Sequence, residues 1–453
     1  MTCPDCAYLR EENHRLEEAL KEAQGRVKML ESVNEYLMRR LKAYENPHTP
    51  PSKRVIYPKT RRLTMDEAEG NPRYPGRPRG HRGATRPKPK PGVVVQPPRL
   101  EACTCGAHLG EPDAVCGRVV EETGNPSPHQ VIEYLQYEYT CRECGRHHTS
   151  THPDCPPSGR FGKNVVVQTT LMRHWDRLTV RRVAGSLERT YGLRVTPATV
   201  LDIDRRAAEW LRPEVEEMAG RVRESPVVYV DETGLSVDGA RYWVWVFVTL
   251  MDVLIVVRRS RGKRVLREVL GRRFRGVIVC DGWRSYSCFA DLIQRCWAHI
   301  LREARYVAER AGEAAPMYEG LRGIYDRLSV WAVDKPPPEL ASRLVEMGRA
   351  EVMRLTEGPW SSGEAERFAR KVRNGLGGWF TFLVVPGVEP TNNRAERMLR
   401  EVVVQRKMVG CLRNEKGTRI TETFMSLLLT WNMRGLDLKE ALGDALTRQW
   451  TKS

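Results

Sequence analysis

Residues 227–234 read Val-Val-Tyr-Val-Asp-Glu-Thr-Gly, and residues 276–283 read Gly-Val-Ile-Val-Cys-Asp-Gly-Trp. In each stretch an apolar, mostly β-branched run hands out one carboxylate just before a glycine. Such a run predicts a buried strand with the acid at or near its end. Two neighbouring strands that end this way set Asp231 and Asp281 side by side. Like charges held that close need a cation between them, and oxygen donors of this kind suit Mg²⁺. An Asp can also simply start a turn, but two matched units in a strongly basic chain point to chemistry on a polyanion.

The elements around these acids supply a frame. Strands are expected at 227–231, 241–249 and 253–258, a helix at 263–270, a strand at 276–281, a helix at 283–291 and a short strand at 293–298. Three strands joined by tight turns, followed by helices and strands that extend the sheet in parallel, is the order of an RNase H-like α/β fold. Glu232 points to the opposite face from Asp231, and Asp238 and Asp252 fall in hairpin turns. Residues 301–385 are mostly helical, broken at Pro336–Pro338 and Gly377–Gly378, as an all-α insertion. Thr391 or Asn392 then caps a new helix that carries Glu396, and amphipathic helix continues to the C-terminus.

The bulk numbers agree with a nucleic-acid partner. The 453 residues carry 74 Lys+Arg against 57 Asp+Glu, a net charge of +17, which favours a polyanion. No apolar run reaches membrane length, since 242–257 is interrupted by Thr249 and Asp252, and Met-Thr-Cys-Pro-Asp-Cys has no signal-peptide character. The twelve cysteines fall partly in close pairs, which suits metal ligation in a reducing cytoplasm better than disulfides.

Upstream of the sheet the chain changes character several times. Over 9–41, Leu9, Leu16, Ala23, Leu30 and Leu37 take d positions, and Asn13, Leu20, Val27, Asn34 and Leu41 take a positions. This heptad predicts a parallel homodimeric leucine zipper with the two asparagines paired across the axis; Cys3 and Cys6 precede it. Residues 46–100 hold twelve of the 29 prolines and 13 Lys/Arg against three acids, the composition of an extended basic linker. Inside it, Gly76-Arg77-Pro78-Arg79 with Arg82 has the form of an AT-hook for a narrow minor groove, or of a tether that touches only phosphates.

Cys103-x-Cys105 and Cys141-x-x-Cys144 flank a strand-like run in 101–156, predicting a zinc ribbon whose four thiolates make a closed, structural Zn²⁺ site. The first knuckle is one residue short, and Cys116, His108, His147, His148 and Cys155 are alternative ligands. Within 165–212, a helix, the turn at Tyr191-Gly192, and a second helix with Thr196 as cap and Pro197 at its first position fit a helix-turn-helix. Thr199, Asp202, Arg205 and Arg206 lie on its candidate recognition helix; a plain three-helix bundle gives the same pattern.

Together, Asp231-Glu-Thr-Gly with Tyr242-Trp-Val-Trp-Val, Cys280-Asp281-Gly-Trp, Cys296-Trp-Ala-His299 and Glu389-Pro-Thr-Asn-Asn-Arg-Ala-Glu396-Arg resemble the IS66-type transposases of bacterial and archaeal insertion sequences. The resemblance covers nearly the whole chain, departing at Cys103-x-Cys105. It implies an RNase H-like DDE catalytic domain with Asp231, Asp281 and Glu396 as triad and metal ligands. Cys296 and His299 would support the site.

Two Mg²⁺ ions (or Mn²⁺) on three carboxylates would clamp a phosphodiester for cleavage and then strand transfer. Arg394, Arg397, Arg400, Arg406 and Lys407 would hold phosphates of double-stranded DNA, at transposon ends and target, with accessory proteins of the same element as further partners. The implied order is leucine zipper 1–45, linker 46–100, zinc domain 101–156, helix-turn-helix 157–222, catalytic domain 223–300, helical insertion 301–385, and the second catalytic part with C-terminal helices 386–453. Alternatives are an RNase H-like nuclease or resolvase that cuts without joining, and a transposase-derived DNA-binding regulator. Among the C-terminal acids, Glu364, Glu366, Glu389 and Glu401 compete with Glu396. Glu396 is favoured because it sits early in the capped helix, where the helix N-terminus tolerates an anion.

Overall fold

The computed structural model divides into two units, Met1–Asn125 and Pro126–Ser453. It describes residues 154–452 apart from 284, 285, 287, 288, 410 and 411, together with scattered positions between 17 and 152. In the first unit, Glu17, Leu20, Gln24 and Val27 are helical, with Leu20 and Val27 exposed. The rest of the zipper and the whole basic linker, with Arg77, Arg79 and Arg82, lie outside the described residues.

The second unit opens with a small antiparallel hairpin, β1 (Glu138–Thr140) and β2 (His147–Thr149), which carries Cys144 in its turn. Cys144 is exposed; Cys103, Cys105 and Cys141 lie outside the described residues. Helices α1 (Lys163–Thr170), α2 (Val180–Tyr191) and α3 (Pro197–Glu224) follow. Gly192 ends α2 in the left-handed region (φ 66°), where a side chain would be strained. Thr196 accepts the Thr199 backbone N–H and Pro197 takes the first helical position, so the second helix starts where its capping residues place it.

The five-stranded sheet has the order β5-β4-β3-β6-β7. Its strands are β3 (Val227–Val237), β4 (Ala240–Val248), β5 (Val253–Arg258), β6 (Phe274–Cys280) and β7 (Ala290–Arg295). The first three are antiparallel, while β6 and β7 join in parallel. Helix α4 (Lys263–Leu270) links β5 to β6. Asp238 and Gly239, both at positive φ, make the two-residue turn between β3 and β4.

Two details differ from the sequence reading. β3 does not stop near Asp231 but runs six residues further, because 232–237 still pair with β4 and the Thr-Gly step does not break the ladder. The strand expected at 293–298 sits at 290–295, so the helix expected over 283–291 cannot reach its last two residues, and Trp297 already begins a helix.

Both faces of the sheet are covered. Odd-numbered β3 residues (Val227, Tyr229, Leu235, Val237) pack into a core with α5 (Trp297–Arg310), α6 (Ala315–Leu328), α7 (Pro338–Thr356), α8 (Gly363–Asn374) and α10 (Asn393–Val409). The short α9 (Thr381–Val384) lies between the last two. Even-numbered residues (Val228, Val230) face α4 and the end of α3.

Helices α11 (Glu415–Met433) and α12 (Leu438–Trp450) close the chain. α11 seals the edge strand: Glu422 Oε1, Ser426 Oγ and Thr430 Oγ1 accept the backbone N–H groups of Val257, Ile255 and Val253 at 2.6, 2.9 and 2.8 Å. Four helical residues rise about 6 Å and two strand residues about 6.7 Å, so acceptors at i, i+4 and i+8 match alternate strand amides. An edge that could recruit another strand is thereby spent within the chain.

Candidate active site

β3 and β6 run parallel with Tyr229 opposite Val279. Two residues further along each chain come Asp231 and Asp281, at matching heights on adjacent strands, just where the β3–β6 pairing ends. Both are half-buried. Asp231 Oδ1 accepts the N–H of Glu232, and Asp281 Oδ1 accepts the N–H of Trp283, both at 2.9 Å, so each carboxylate is oriented by its own backbone.

Glu396 comes from the first turn of α10. Its Oε1 is buried without a hydrogen-bond donor and lies 3.4 Å from His299 Nδ1. Burial, then the charges of Glu232 and Asp281, and finally that of Glu396, push the Asp231 carboxyl well above the ordinary carboxylate range. Acids crowded together like this hold their charges most readily beside a cation. Asp231, Asp281 and Glu396 lie close enough to feel one another's charge, and an all-carboxylate set of this kind would suit a hard divalent ion such as Mg²⁺.

Three of the four competing C-terminal acids are engaged elsewhere. Glu401 pairs with Arg177, Glu389 with Arg394 at 2.6 Å, and Glu366 with Arg370 at 2.7 Å. Glu232 is buried on the opposite sheet face, bonded by Tyr286 and by Arg261 at 2.8 Å. The Arg261 guanidinium lies 4.8 Å from the Trp243 ring and 4.6 Å from the Trp283 ring, a cation–π sandwich that fixes the segment after Asp281. Asp252 lies in the turn between β4 and β5, as expected, and there it is buried and pairs with both Arg221 and Arg434.

Cys296 precedes α5 and His299 lies in its first turn, so both reach Glu396: one ligand atom of each of the three falls within 4.8 Å of the others. Burial pushes the Cys296 thiol up to about 11, and backbone N–H groups of Asn392, His299 and Ala298 point at the sulfur.

The basic residues singled out in the sequence divide. Arg397, Arg400 and Lys407 are exposed on α10. Arg406 instead donates to the Gly234 carbonyl, and Arg394 lies over the Tyr229 ring at 5.6 Å. On α3, Arg205 pairs with Asp202 and Glu209, Arg206 with Asp202, and Thr199 bonds Thr196. Sequence reasoning passed over Tyr229, whose hydroxyl donates to the Gly387 carbonyl and accepts the Glu389 N–H, both at 2.9 Å. A tyrosine inside a valine-rich strand was the available signal.

Comparison with known proteins decides the family. Residues 158–420, more than half of the chain, match the family described as "Transposase IS66 family". The chain belongs to the IS66 family of transposases. It is also similar to two uncharacterized proteins of Sinorhizobium fredii. One, y4jD, is 24% identical over 420 residues, covering 82% of this chain and 80% of its own length. The other, y4qI, is 27% identical over 267 residues, covering 50% of this chain and 48% of its own length. The matched segment contains the whole sheet, both strand aspartates and Glu396. No helix among the described residues is long and apolar enough to cross a membrane.

Proposed function

We propose that this IS66-family chain is an RNase H-like DDE transposase that binds the ends of its insertion sequence and catalyses divalent-metal-dependent cleavage and strand transfer. The observation that supports the reading is that Asp231 on β3 and Asp281 just past the end of the parallel strand β6 lie near enough to Glu396 of α10 for Asp281 and Glu396 both to raise the Asp231 carboxyl. These three carboxylates would hold two Mg²⁺ ions or their Mn²⁺ substitutes. Such a pair, when bound, supplies charge neutralisation and Lewis acidity on both sides of a phosphodiester. The chain's own part is to fix the three acids: Asp231 and Asp281 by backbone N–H groups, Glu396 by a helix packed against β3.

The remaining assignments follow the same reading. The zipper, residues 1–45, makes a parallel dimer; Leu20 and Val27, both at a positions, are exposed on the single chain and free to meet a partner. The linker at 46–100 adds salt-sensitive affinity for DNA. The 101–156 segment holds a structural zinc, with Cys144 placed in the β1–β2 turn. The α2–turn–α3 unit within 157–222 reads the element ends, and 301–385 is a helical insertion between the two catalytic parts. Arg397, Arg400 and Lys407 contact phosphates from the exposed side of α10.

Purified protein incubated with pre-cut element ends and a target plasmid tests the central claim. Joining that requires Mg²⁺ and disappears in Asp231→Asn and Asp281→Asn supports it. Cleavage without joining points to a nuclease instead, and DNA binding with neither reaction to a regulator.

A further inference from the structure

The three acids arrive from three separate elements, and one pair of residues is bonded next to each of them. The Cys296 N–H donates to the carbonyl of Cys280, the residue before Asp281, at 2.9 Å. The Cys296 sulfur accepts the backbone N–H of Asn392 at 3.2 Å. The Asn392 side-chain amide donates to the carbonyl of Val230, the residue before Asp231, at 2.9 Å. The Asn392 carbonyl accepts the N–H of Glu396 itself at 3.1 Å, in the first turn of α10. A further bond, Trp297 N–H to the Pro390 carbonyl at 3.0 Å, holds the two strands of this connection together. Cys296 and Asn392 are 1% and 0% exposed, so water cannot substitute for either partner.

We propose that Cys296 and Asn392 are positioning residues that form one hydrogen-bonded clasp, setting the spacing of the Asp231, Asp281 and Glu396 carriers so that their carboxylates converge. This rests on the reading of those acids as a divalent-metal site. The clasp also explains the residue types. Asparagine is needed because a side-chain donor must reach β3 while its own carbonyl starts a helix; aspartate of the same size has no such donor. A small acceptor is needed at 296 because the sulfur receives an N–H from a loop closely packed on it. The role is distinct from a fold-wide one: every bond of the clasp ends within four residues of a candidate metal ligand.

The test uses full-length protein and two readouts, Mn²⁺ binding followed by electron paramagnetic resonance and single-turnover end cleavage. Partners of this kind, when removed, cost about 10–100-fold in metal affinity or activity. Cys296→Ala and Asn392→Ala should each weaken Mn²⁺ binding by about 10-fold and slow cleavage by about 10–100-fold, with DNA affinity within about 2-fold of wild type. Cys296→Ser keeps the acceptor and should recover most of both. If Asn392→Ala does not fold, Asn392→Ser, a smaller excision, stands in its place.

Unchanged Mn²⁺ binding and cleavage in both alanine variants, with only a lowered melting temperature, would show ordinary packing and overturn the clasp. So would a Co²⁺–thiolate absorption band that wild type shows and Cys296→Ser lacks, since the sulfur would then be a ligand. Asp231→Asn separates the two layers. If it binds Mn²⁺ as wild type does, the three-acid reading fails and the clasp with it. If it has lost Mn²⁺ while the alanine variants have not, the clasp alone fails.

Discussion

Replacing Asp231 by Asn removes a charge that the metal-free protein does not want. The Asp231 carboxyl is pushed well above its ordinary range by burial and by Glu232, Asp281 and Glu396. Adjacent parallel strands lie about 4.8 Å apart. Two unit charges at that separation repel by about 3 kcal/mol at an effective dielectric of about 20. Both aspartates are half-buried, so solvent screens part of this, leaving about 1–2 kcal/mol.

A shift of that size moves the melting temperature of a unit this large by about 1.5–3 °C. In chelator, Asp231→Asn should therefore melt higher than wild type. With saturating Mg²⁺ the order should reverse: at a hundred times its dissociation constant a ligand adds about 2.7 kcal/mol, which wild type gains and the variant does not.

The sign of the pH dependence follows. A carboxyl whose folded pKa is raised favours the folded state below its unfolded pKa, and that contribution is lost as pH rises through the folded value. Metal-free wild type should thus gain stability relative to Asp231→Asn as pH falls from neutral. Cleavage should drop about 10³-fold or more, a loss of about 4 kcal/mol in the transition state. Differential scanning fluorimetry with EDTA or Mg²⁺ at several pH values reads the stability terms. A variant that melts lower than wild type in EDTA, or gains as much from Mg²⁺, would refute the reasoning.

Glu396→Gln should bind element ends normally and lose cleavage and joining by about 10³-fold, while Glu401→Gln, which only releases Arg177, should stay active in the same assay. Ser426→Val leaves the buried Ile255 N–H without an acceptor at the β5 edge, and should cost about 1–3 kcal/mol in urea melts with activity per folded molecule retained. Elemental analysis should find one zinc per chain in wild type and none in the Cys141→Ser, Cys144→Ser double variant; full zinc content in the variant would remove those residues from the site. Raising salt from about 50 to 200 mM should weaken DNA binding steeply in the full chain and less in a chain lacking 46–100, because fewer counterions are released.

Much of the sheet was legible because period-two apolar runs and turn residues act locally. The strands at β4 and β5, the helix at 263–270 and the cap at Thr196 all follow from residues within a few positions of one another. Where reading failed or fell short, a distant partner decided. β3 runs past Gly234 because β4 supplies a ladder there, and Asp252 is a buried ion-pair hub because Arg221 and Arg434 arrive from α3 and the end of α11. Nothing near Val253, Ile255 or Val257 announces that a helix more than 160 residues later will accept their amides.

The same division runs through the site. A strand-then-Asp pattern can nominate Asp231 and Asp281, since each acid is placed by its own strand. Glu396 is different in kind, because many acids share its segment and its place is set by what holds α10 against β3. The nominating residues and the positioning residues therefore leave different traces. Acids stand out by type, whereas Asn392, Tyr229 and Cys296 are ordinary in composition and become meaningful only through bonds to Val230, Gly387 and Cys280. A dense short motif such as Glu389-Pro-Thr-Asn-Asn-Arg-Ala-Glu396 is dense because one loop must satisfy several such bonds at once. Glu389 is taken up by Arg394 and Tyr229, Pro390 and Asn392 by the start of α5, and Asn392 again by β3. With Glu389, Pro390, Asn392 and Arg394 engaged in these contacts, Glu396 is the acid of the run whose buried oxygen keeps no hydrogen-bond partner.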